Sequence, residues 1–254
     1  EIIKYVELYA QNKDYKLLVC NSLNNKEKEI KYIQMLEQNR VDGIIMGSHT
    51  LDVDAYRNLN APIITFDRYI DENIPYVSSD NFYGGQLATN YLIESGCQSL
   101  LHISGALHLN TFANRRAEAF KLTCIENKVN FQILELEHTK LSFEYFMGFI
   151  NEKIAPILPN IDGVFCSNDL LAYALYIYCT QNNIRVPQDL KIIGYDYNSF
   201  IRMLKTPQIT TIAQPVEKIA NALCSGLIQL IENPDDSNVH NKVISVHLVK
   251  GDTV

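Results

Sequence analysis

Polar side chains follow three apolar stretches of this chain, each at the point where the stretch ends. Asp67 comes after PIITF, Asn168 after VFCS and Asp196 after IIGY. A carboxylate accepts several hydrogen bonds, whereas a side-chain amide both donates and accepts. Arg116, at the start of a predicted helix, adds a rigid fork of donors. These four side chains suit a ligand that carries many hydroxyl groups.

Aromatic residues lie close to these polar positions in the sequence. Phe112 stands four residues before Arg116, and Tyr195 and Tyr197 flank Asp196. Flat apolar faces of this kind can stack on sugar rings. A ligand pocket typically combines an apolar lining with a few convergent polar groups, and this set of residues would supply both.

Each of these residues also has a purely structural interpretation. The aromatic residues can belong to the core, and Arg116 can be a solvated surface charge. Asn168 or Asp169 can simply cap the helix that follows, and Asp169 is the better candidate for the cap. Asp67 and Arg68 can form a simple ion pair.

Sequence signatures of common enzymes are absent. The chain has no G-x-S-x-G, H-E-x-x-H or G-x-x-x-x-G-K motif, and no G-x-G-x-x-G after a predicted strand. Its histidines lack metal-ligand spacing. Asp67 and Asp196 could in principle act as a catalytic acid and base, but no second feature of the sequence supports catalysis. We therefore expect a binding protein that is not an enzyme and needs no metal or cofactor.

Two loop positions are open to either a ligand role or a solvent role. His108 lies in the loop after a predicted strand that ends in SLLHIS, and Ser48-His49 follows the predicted strand VDGIIM.

Composition narrows the class of protein. The chain has 254 residues, 47% of them apolar, and a net charge of −7, so it is a poor nucleic-acid binder by itself. No apolar run approaches the roughly 18 residues of a membrane span. The six cysteines form no C-x-x-C pair, which is typical of buried free thiols in a reducing cytoplasm.

The elements that must position the polar residues alternate between strands and helices. The predicted strands and extended segments cover 15–20, 41–46, 62–66, 99–104, 131–136, 163–166, 190–195, 209–214 and 242–249, and the predicted helices include 1–12, 26–39, 51–59, 82–95, 114–128, 143–154 and 216–231. This alternation predicts parallel sheets with helices on both faces. Parallel strands place their carboxyl ends on one edge, where open α/β sheets hold ligands.

The strand–helix alternation runs twice, with an extended crossing segment at 74–81 between the two series. This indicates two α/β lobes joined by more than one segment. The chain begins on a helix, whereas doubly wound units begin on a strand, so we expect a further strand upstream.

Seven motifs occur in a fixed order along nearly the whole chain. They are VDGIIM at 41–46, PIITFDR at 62–68, VSSDNFYGGQLATNYLIESG at 77–96, RRAEAF at 115–120, GVFCSNDLLAYAL at 163–175, VPQDLKIIGYD at 186–196 and ITTIAQP at 209–215. In this order they resemble the effector-binding core of the lactose-repressor/galactose-repressor (LacI/GalR) family of transcription regulators. The resemblance extends to its sugar-responsive members, including sucrose-operon repressors.

This resemblance implies a type I periplasmic-binding-protein-like α/β fold. Two doubly wound parallel-sheet lobes would be joined by three crossing segments near 79–81, 212–214 and 240–243, with the effector between them. The N-terminal lobe would comprise 1–79 and 213–240, and the C-terminal lobe 80–212 and 241–254.

The resemblance also implies which residues bind and which partners take part. The family's effector-binding positions fall on Asp67, Arg116, Asn168, Asp196, Phe112 and Gln214. The implied partners are a sugar or sugar phosphate, a second copy of the chain, and operator DNA through a helix-turn-helix domain upstream of this chain. The location would be the cytoplasm, with no membrane association.

Two points set limits on that resemblance. Gly251 stands where the family usually has an arginine, which we expect to matter for local packing and not for ligand choice.

An extracytoplasmic sugar-binding protein of a transporter would share the fold and the site, and it is the alternative function.

Overall fold

The computed structural model describes residues 1–23, 25–38, 40–48, 56, 59, 61–109, 111–137, 142–233 and 239–254. It divides the chain into two compact units, one of Glu1–Ser79 and Pro215–Ile244, the other of Asp80–Gln214 and Ser245–Val254. None of the described helices combines the length and the apolar character that crossing a membrane requires.

The first unit is built on a four-stranded sheet. Its helices are α1 (Ile2–Gln11), α2 (Lys26–Gln38) and α8 (Val216–Glu232), and its strands are β1 (Ile44–Met46), β2 (Ile63–Phe66), β3 (Tyr76–Ser79) and β9 (Lys242–Ile244). The strand order is β1-β2-β3-β9, and every neighbouring pair is parallel. Ile64 and Val77 from the sheet pack with Leu223 of α8, so this helix covers one face of the sheet.

The strand that the sequence predicts over residues 15–20 is not formed, and this prediction is wrong. Leu18 and Val19 are 60% and 55% exposed. Cavities of about 430 and 250 Å³ are lined both by this segment and by Ile44 and Ile45 of β1. A strand exists only with a hydrogen-bonded neighbour, and no described strand pairs with this segment. Its apolar pattern alone therefore does not make it a strand.

The second unit is built on a six-stranded sheet. Its strands are β4 (Ser99–Ser104), β5 (Asn130–Glu135), β6 (Gly163–Cys166), β7 (Lys191–Asp196), β8 (Thr210–Ala213) and β10 (His247–Val249), and its helices are α3 (Asn81–Glu94), α4 (Arg115–Asn127), α5 (Phe143–Phe149), α6 (Asp169–Gln181) and α7 (Ser199–Met203). The strand order is β10-β8-β7-β6-β4-β5. All neighbouring strands are parallel except β10, which runs antiparallel to β8.

Alternating side chains of the second sheet feed two separate core layers. Val164 and Cys166 of β6 belong to the layer that includes Phe146 of α5 and Leu175 of α6. Phe165, between them, belongs to the layer that includes helices α3 and α4. Because successive side chains of a strand point to opposite faces, an uninterrupted apolar strand needs helices on both faces. This confirms the prediction of a doubly wound sheet for the second unit.

The last predicted strand, 242–249, is wrong as a single element. It forms two short strands, β9 in the first unit and β10 in the second. Because the chain leaves the first unit after Ile244, the remaining residues join the edge of the other sheet, and there they run antiparallel. Strict alternation over the eight residues does not reveal that the two halves serve different sheets.

The other predicted elements agree with the structure to within a few residues, with two qualifications. The predicted helix 51–59 lies mostly outside the described residues. The predicted helix 143–154 consists of α5 followed by a π-helical turn at Ile150–Ile154.

Gly251 is required for local packing, as expected from the sequence. A Cβ atom at this position would lie 2.2 Å from the carbonyl oxygen of Gln208. The C-terminal segment approaches β8 this closely because the buried Thr253 accepts from the Thr210 amide at 3.0 Å. An arginine at position 251 would require the backbone to move.

Candidate functional site

The candidate site of the second unit lies at the carboxyl edge of its sheet. Strands β4, β6, β7 and β8 are neighbours in the sheet and all run in the same direction. Asn168 follows β6, Asp196 ends β7, and Gln214 follows β8. Asp196 stands opposite Ala213 in the register between β7 and β8, so Asp196 and Gln214 meet at one edge.

Arg116 is buried near the start of α4 and has fixed partners. Its Nε donates to the side-chain oxygen of Asn81 at 2.7 Å, and its Nη1 donates to the carbonyl oxygen of Ser167 at 3.0 Å. Its guanidinium carbon lies 3.5 Å from the centroid of the Tyr195 ring. Ser167 and Tyr195 directly precede Asn168 and Asp196, so these contacts bring Arg116 beside both predicted site residues.

Arg116 is therefore not the solvated surface charge of the structural interpretation, since only 8% of it is exposed. The contacts to Asn81 and Ser167 use two of the five N–H groups that a guanidinium carries. The remaining donors of this fork are what a ligand oxygen or phosphate can use.

Asn81 is a buried partner of Arg116 that the sequence alone does not identify. The sequence indicates only that Asp80 or Asn81 caps α3. The structure assigns the cap to Asp80, whose carboxylate accepts from the Tyr83 amide at 3.0 Å, while Asn81 is buried and holds Arg116. The sequence places two residues that commonly cap helices side by side at the start of α3. Only one of them can be the cap, so the other side chain is available for a different hydrogen bond.

The side chain of Asn168 caps a helix with its oxygen and leaves its NH₂ group for other contacts. Its side-chain oxygen accepts from the Leu171 amide at 2.9 Å, so Asn168 is the N-cap of α6. The expectation that Asp169 is the better cap was wrong, because Asp169 is fully buried and directed elsewhere. Since the oxygen of Asn168 serves the helix, its NH₂ group is the part that suits a ligand.

Asp196 and Gln214 form a pair. The Gln214 side-chain nitrogen donates to Oδ1 of Asp196 at 2.6 Å, and the Gln214 backbone N–H donates to the Asp196 carbonyl oxygen at 3.3 Å. Asp196 has a φ of 106°, a left-handed backbone that aspartate tolerates better than most residues. Both side chains remain half-buried at the sheet edge, which suits hydrogen bonds to a polar ligand.

The three candidate stacking aromatics differ in position. Phe112 lies in a short 3₁₀ turn, Phe112–Asn114, and is half-buried. Tyr197 is half-buried and packs against the core layer of α5 and α6. Tyr195 is fully buried, so its proposed role as a stacking surface for a ligand was wrong. Its ring packs on Arg116 instead.

Asp67 belongs to the first unit and is the one predicted site residue there. It follows β2, has a φ of 53° and donates its backbone N–H to the carbonyl oxygen of Val77 at 2.9 Å. Its neighbour Arg68 is buried and donates to the carbonyl oxygen of Ser48 at 2.7 Å. Both predicted acids, Asp67 and Asp196, thus end a parallel strand in a left-handed conformation.

A buried carboxylate supports the loop that carries Asp67 and Arg68. Glu29 accepts from the Ser48 hydroxyl at 2.6 Å and from the Tyr56 hydroxyl. Burial lowers the pKa of Arg68, and the charge of Glu29 opposes that shift. Glu29, Ser48, Tyr56 and Arg68 are hereafter the Glu29 cluster, which ties the end of β1 to the end of β2.

Of the six histidines, His49 and His108 follow predicted strands and His102 lies within one. His108 is exposed, in agreement with its solvent role, and His49 lies outside the described residues. His102 is buried and stacks on Phe165 at 4.5 Å between ring centroids. Burial lowers the pKa of His102 to about 4. Over the described part of the chain, no group of three or more His, Cys, Asp or Glu side chains is placed to hold a metal ion.

Known proteins resemble the chain over its whole length. A family model described as a periplasmic binding protein-like domain matches residues 89–254. The sucrose operon repressor of Streptococcus mutans is 38% identical over 254 residues, which cover 100% of this chain and 76% of that protein. The ribose operon repressor of Halalkalibacterium halodurans is 35% identical and is matched over 91% of this chain and 68% of its own length.

A solved structure is also similar. It is a periplasmic binding protein/LacI transcriptional regulator from Alkaliphilus metalliredigens in complex with D-xylulofuranose. It is 30% identical, covers 100% of this chain and 92% of its own, and superimposes with a TM-score of 0.88.

Proposed function

Because the chain belongs to the lactose-repressor/galactose-repressor family of transcriptional regulators, we propose that it is the ligand-sensing core of a sugar-responsive repressor of carbohydrate-utilisation genes. Its α/β units with parallel sheets have the type I periplasmic-binding-protein-like fold of that family. The named relatives regulate sucrose and ribose operons, and the structural neighbour holds a furanose sugar.

The observation that carries this proposal is the meeting of four polar side chains at one sheet edge. Arg116, Asn168, Asp196 and Gln214 belong to the second unit and are linked by direct contacts or by adjacent residues. Arg116 and the Asn168 amide supply donors, and Asp196 supplies acceptors. Gln214 donates to Asp196 and so orients that carboxylate towards a ligand hydroxyl.

The roles of the two remaining residues follow from the family resemblance. Phe112, half-buried in its 3₁₀ turn, would offer an apolar face to the sugar ring. Asp67 of the first unit would accept hydrogen bonds from hydroxyls of the same effector. A phosphate group on the sugar would strengthen the contact to Arg116, because hydrogen bonds between two ionised groups are stronger.

The proposed switch is a change in the arrangement of the two units. A ligand shifts such an equilibrium only by binding one arrangement better than the other. Operator DNA would be bound through a helix-turn-helix domain outside this chain, by a homodimer, in the cytoplasm. No catalytic step is part of this role, since the relatives are repressors.

The first experiment identifies the effector. A thermal-shift screen over mono- and disaccharides and their phosphates, followed by calorimetry on the hits, should find at least one sugar that stabilises the chain. Ligand that binds only the folded state raises its stability by mass action. A complete screen without any stabilising sugar, on folded protein, would contradict the proposal.

A substitution at Asn168 tests the site itself. Asn168→Asp keeps an oxygen for the Leu171 amide, because aspartate and asparagine are equally good N-caps. It removes the NH₂ donors and adds a negative charge, so sugar binding should be lost while the fold is kept. Ser142→Asp is the matched control, since Ser142 caps α5 by accepting from the Tyr145 amide at 3.2 Å. Unchanged sugar affinity of Asn168→Asp would remove Asn168 from the site.

A further inference from the structure

Asp169, the neighbour of Asn168, is a buried carboxylate with three donors around it. It is 0% exposed. The Thr211 hydroxyl donates to its Oδ1 at 2.5 Å, and the Asn198 backbone N–H donates to its Oδ2 at 3.0 Å. The Tyr197 backbone N–H is a further donor to the same carboxylate. Asp169 therefore joins the start of α6 to β8 and to the two residues that follow Asp196.

The backbone makes room for this carboxylate. A Cβ atom at Gly194 of β7 would lie 2.5 Å from Oδ1 of Asp169. The glycine lets the carboxylate approach the strand that ends in Asp196. Gly194 thus leaves room for the Asp169 carboxylate, Tyr195 places its ring in the core, and Asp196 lies at the edge of the sheet.

The loop that Asp169 holds is strained. Asp196 and Tyr197 are consecutive non-glycine residues with φ of 106° and 52°. Such a backbone conformation is unfavourable for residues other than glycine and persists only where the surrounding structure determines it. The two backbone N–H groups just after Asp196 point at the Asp169 carboxylate, which supplies that determination.

We propose that Asp169 is a positioning residue of the sugar site, because its buried carboxylate fixes the 196–198 loop and so sets the direction of the Asp196 side chain. This inference rests on the proposed function. Under this proposal, the adjacent residues Asn168 and Asp169 have different roles. Asn168 caps α6 and faces the ligand, and Asp169 holds the loop that presents the opposing acceptor.

The chemistry of the three donors decides which replacements Asp169 tolerates. The two backbone amides can only donate, so the atom facing them must be an oxygen that accepts. The Thr211 hydroxyl can donate or accept, so a protonated acid or an amide can occupy the other branch. Asparagine at position 169 is therefore expected to keep all three contacts, whereas alanine leaves the two amides without an acceptor.

A matched control exists at the other end of the same sheet. Asp162, directly before β6, accepts from the backbone amides of Gln98 and Ser99 at 2.7 and 2.9 Å. It ties the amino ends of β4 and β6, opposite the candidate site. Asp162→Ala removes the same kind of contact as Asp169→Ala but should leave the 196–198 loop in place.

The test combines amide hydrogen exchange without ligand and calorimetry with sucrose, D-ribose and D-xylulose as probes. Asp169→Ala should raise the exchange rates of the Tyr197 and Asn198 amides and weaken binding about tenfold or more, the effect of losing one or two hydrogen bonds. Asp169→Asn should restore both. Asp162→Ala should change exchange at residues 98 and 99 and leave probe affinity as in the wild type.

Two results would overturn the inference. One is folded Asp169→Ala that retains wild-type protection at residues 197 and 198. The other is lost protection together with unchanged affinity, which would make Asp169 a purely structural residue. If Asp169→Ala does not fold, Thr211→Val decides. It removes the hydroxyl that holds Oδ1 of Asp169, so it should speed exchange at residues 197 and 198 and weaken binding, and wild-type exchange and affinity would overturn the inference. Binding of none of the sugars in the complete screen by the folded wild type would contradict the proposed function, whereas the exchange results test Asp169 independently.

Discussion

The guanidinium carbon of Arg116 lies 3.5 Å from the ring centroid of Tyr195, and both side chains are buried. A cation over an aromatic face is attracted by the negative charge of that face, the more strongly where water is excluded. The aromatic residue beside Asp196 therefore supports the cationic donor of the site, and it does so from within the core. In the proposed site, a ligand would contact Arg116 and not the Tyr195 ring.

Replacing Tyr195 separates the ring from its hydroxyl group. Tyr195→Phe keeps the aromatic face and should bind sugar like the wild type. Tyr195→Leu removes the face, which is worth about 0.5–2 kcal/mol, and leaves Arg116 less well oriented. We expect a severalfold loss of sugar affinity for leucine alone, measured by calorimetry with denaturant unfolding as the check on stability. Equal affinity of the two variants would contradict a supporting role for the ring.

Asp169 should make the free energy of unfolding depend on pH. Burial raises the pKa of Asp169 from 3.8 to about 7, with the charge of Asp196 adding to the rise and the hydrogen bonds to Thr211, Asn198 and Tyr197 opposing it. In the unfolded chain the group loses its proton near its ordinary pKa, so between about pH 4 and pH 7 the folded state binds more protons. The stability that Asp169 contributes is fully present below about pH 4 and is lost as the pH rises from there through about 7.

The Asp169→Asn variant measures that contribution. Its stability relative to the wild type should increase as the pH rises from about 4 to about 7, because only the wild type has to bury an ionising carboxyl. Urea unfolding at several pH values gives the difference directly. The charge that acts on Asp169 is that of Asp196, which both proteins retain, and the buried Cys166 thiol stays neutral because burial raises its pKa. A difference that does not change with pH would show that Asp169 is not buried as described.

His102 should make the free energy of unfolding fall as the pH falls, the opposite pH dependence to that of Asp169. Burial lowers the pKa of His102 to about 4, while its Nδ1 donates to the carbonyl oxygen of Phe165 at 2.9 Å. Between about pH 6.5 and pH 4 the unfolded histidine is protonated and the folded one is not, so stability falls as the pH falls. His102→Asn places an N–H donor near the position of Nδ1 and should flatten that part of the stability curve. An unchanged curve would contradict a buried neutral imidazole.

Much of the second unit could be predicted from the sequence because its signals are local. Strand–helix alternation and the polar residues at the ends of β6 and β7 each depend on neighbours in the chain. The convergence of Asn168 and Asp196 then follows from a general rule about the carboxyl ends of parallel strands. Asn168 and Asp196 could be predicted as candidate site residues for that reason, whereas Gln214 was implied only by the family resemblance.

What failed depends on distant partners. Residues 15–20 have a strand-like apolar pattern, but a strand is defined by its neighbour, which the pattern does not supply. The role of Tyr195 was misassigned, and the contact of Asn81 was not foreseen, because their partner Arg116 lies far away in sequence. The cap of α6 was assigned to the wrong one of two adjacent residues, Asp169 instead of Asn168, since both are good cap residues and only burial distinguishes them.

The thiols offer a test of burial in both units. Burial raises the pKa of Cys97 to about 11, of Cys124 and Cys179 to about 12, and of Cys224 to about 11. The thiolate is the reactive form, so these groups should react slowly in the folded chain. Cys20, which is half-buried, should be the first to react with a thiol reagent. Cys20→Ser should remove that fast phase, and rapid labelling of any other cysteine would contradict the described core.

The Glu29 cluster should stabilise the first unit through its buried hydrogen bonds. Tyr56 is buried and donates to Glu29, and burial together with this bond raises the pKa of its hydroxyl. Tyr56→Phe leaves one oxygen of a buried carboxylate without this donor, which costs about 1–3 kcal/mol. Tyr83→Phe is the control, because Tyr83 is 44% exposed and should change stability little. Since the cluster ties the end of β1 to the loop after β2, amide exchange at Arg68 should also increase in Tyr56→Phe. Denaturant unfolding and exchange that match the wild type would show that this loop is held without Tyr56.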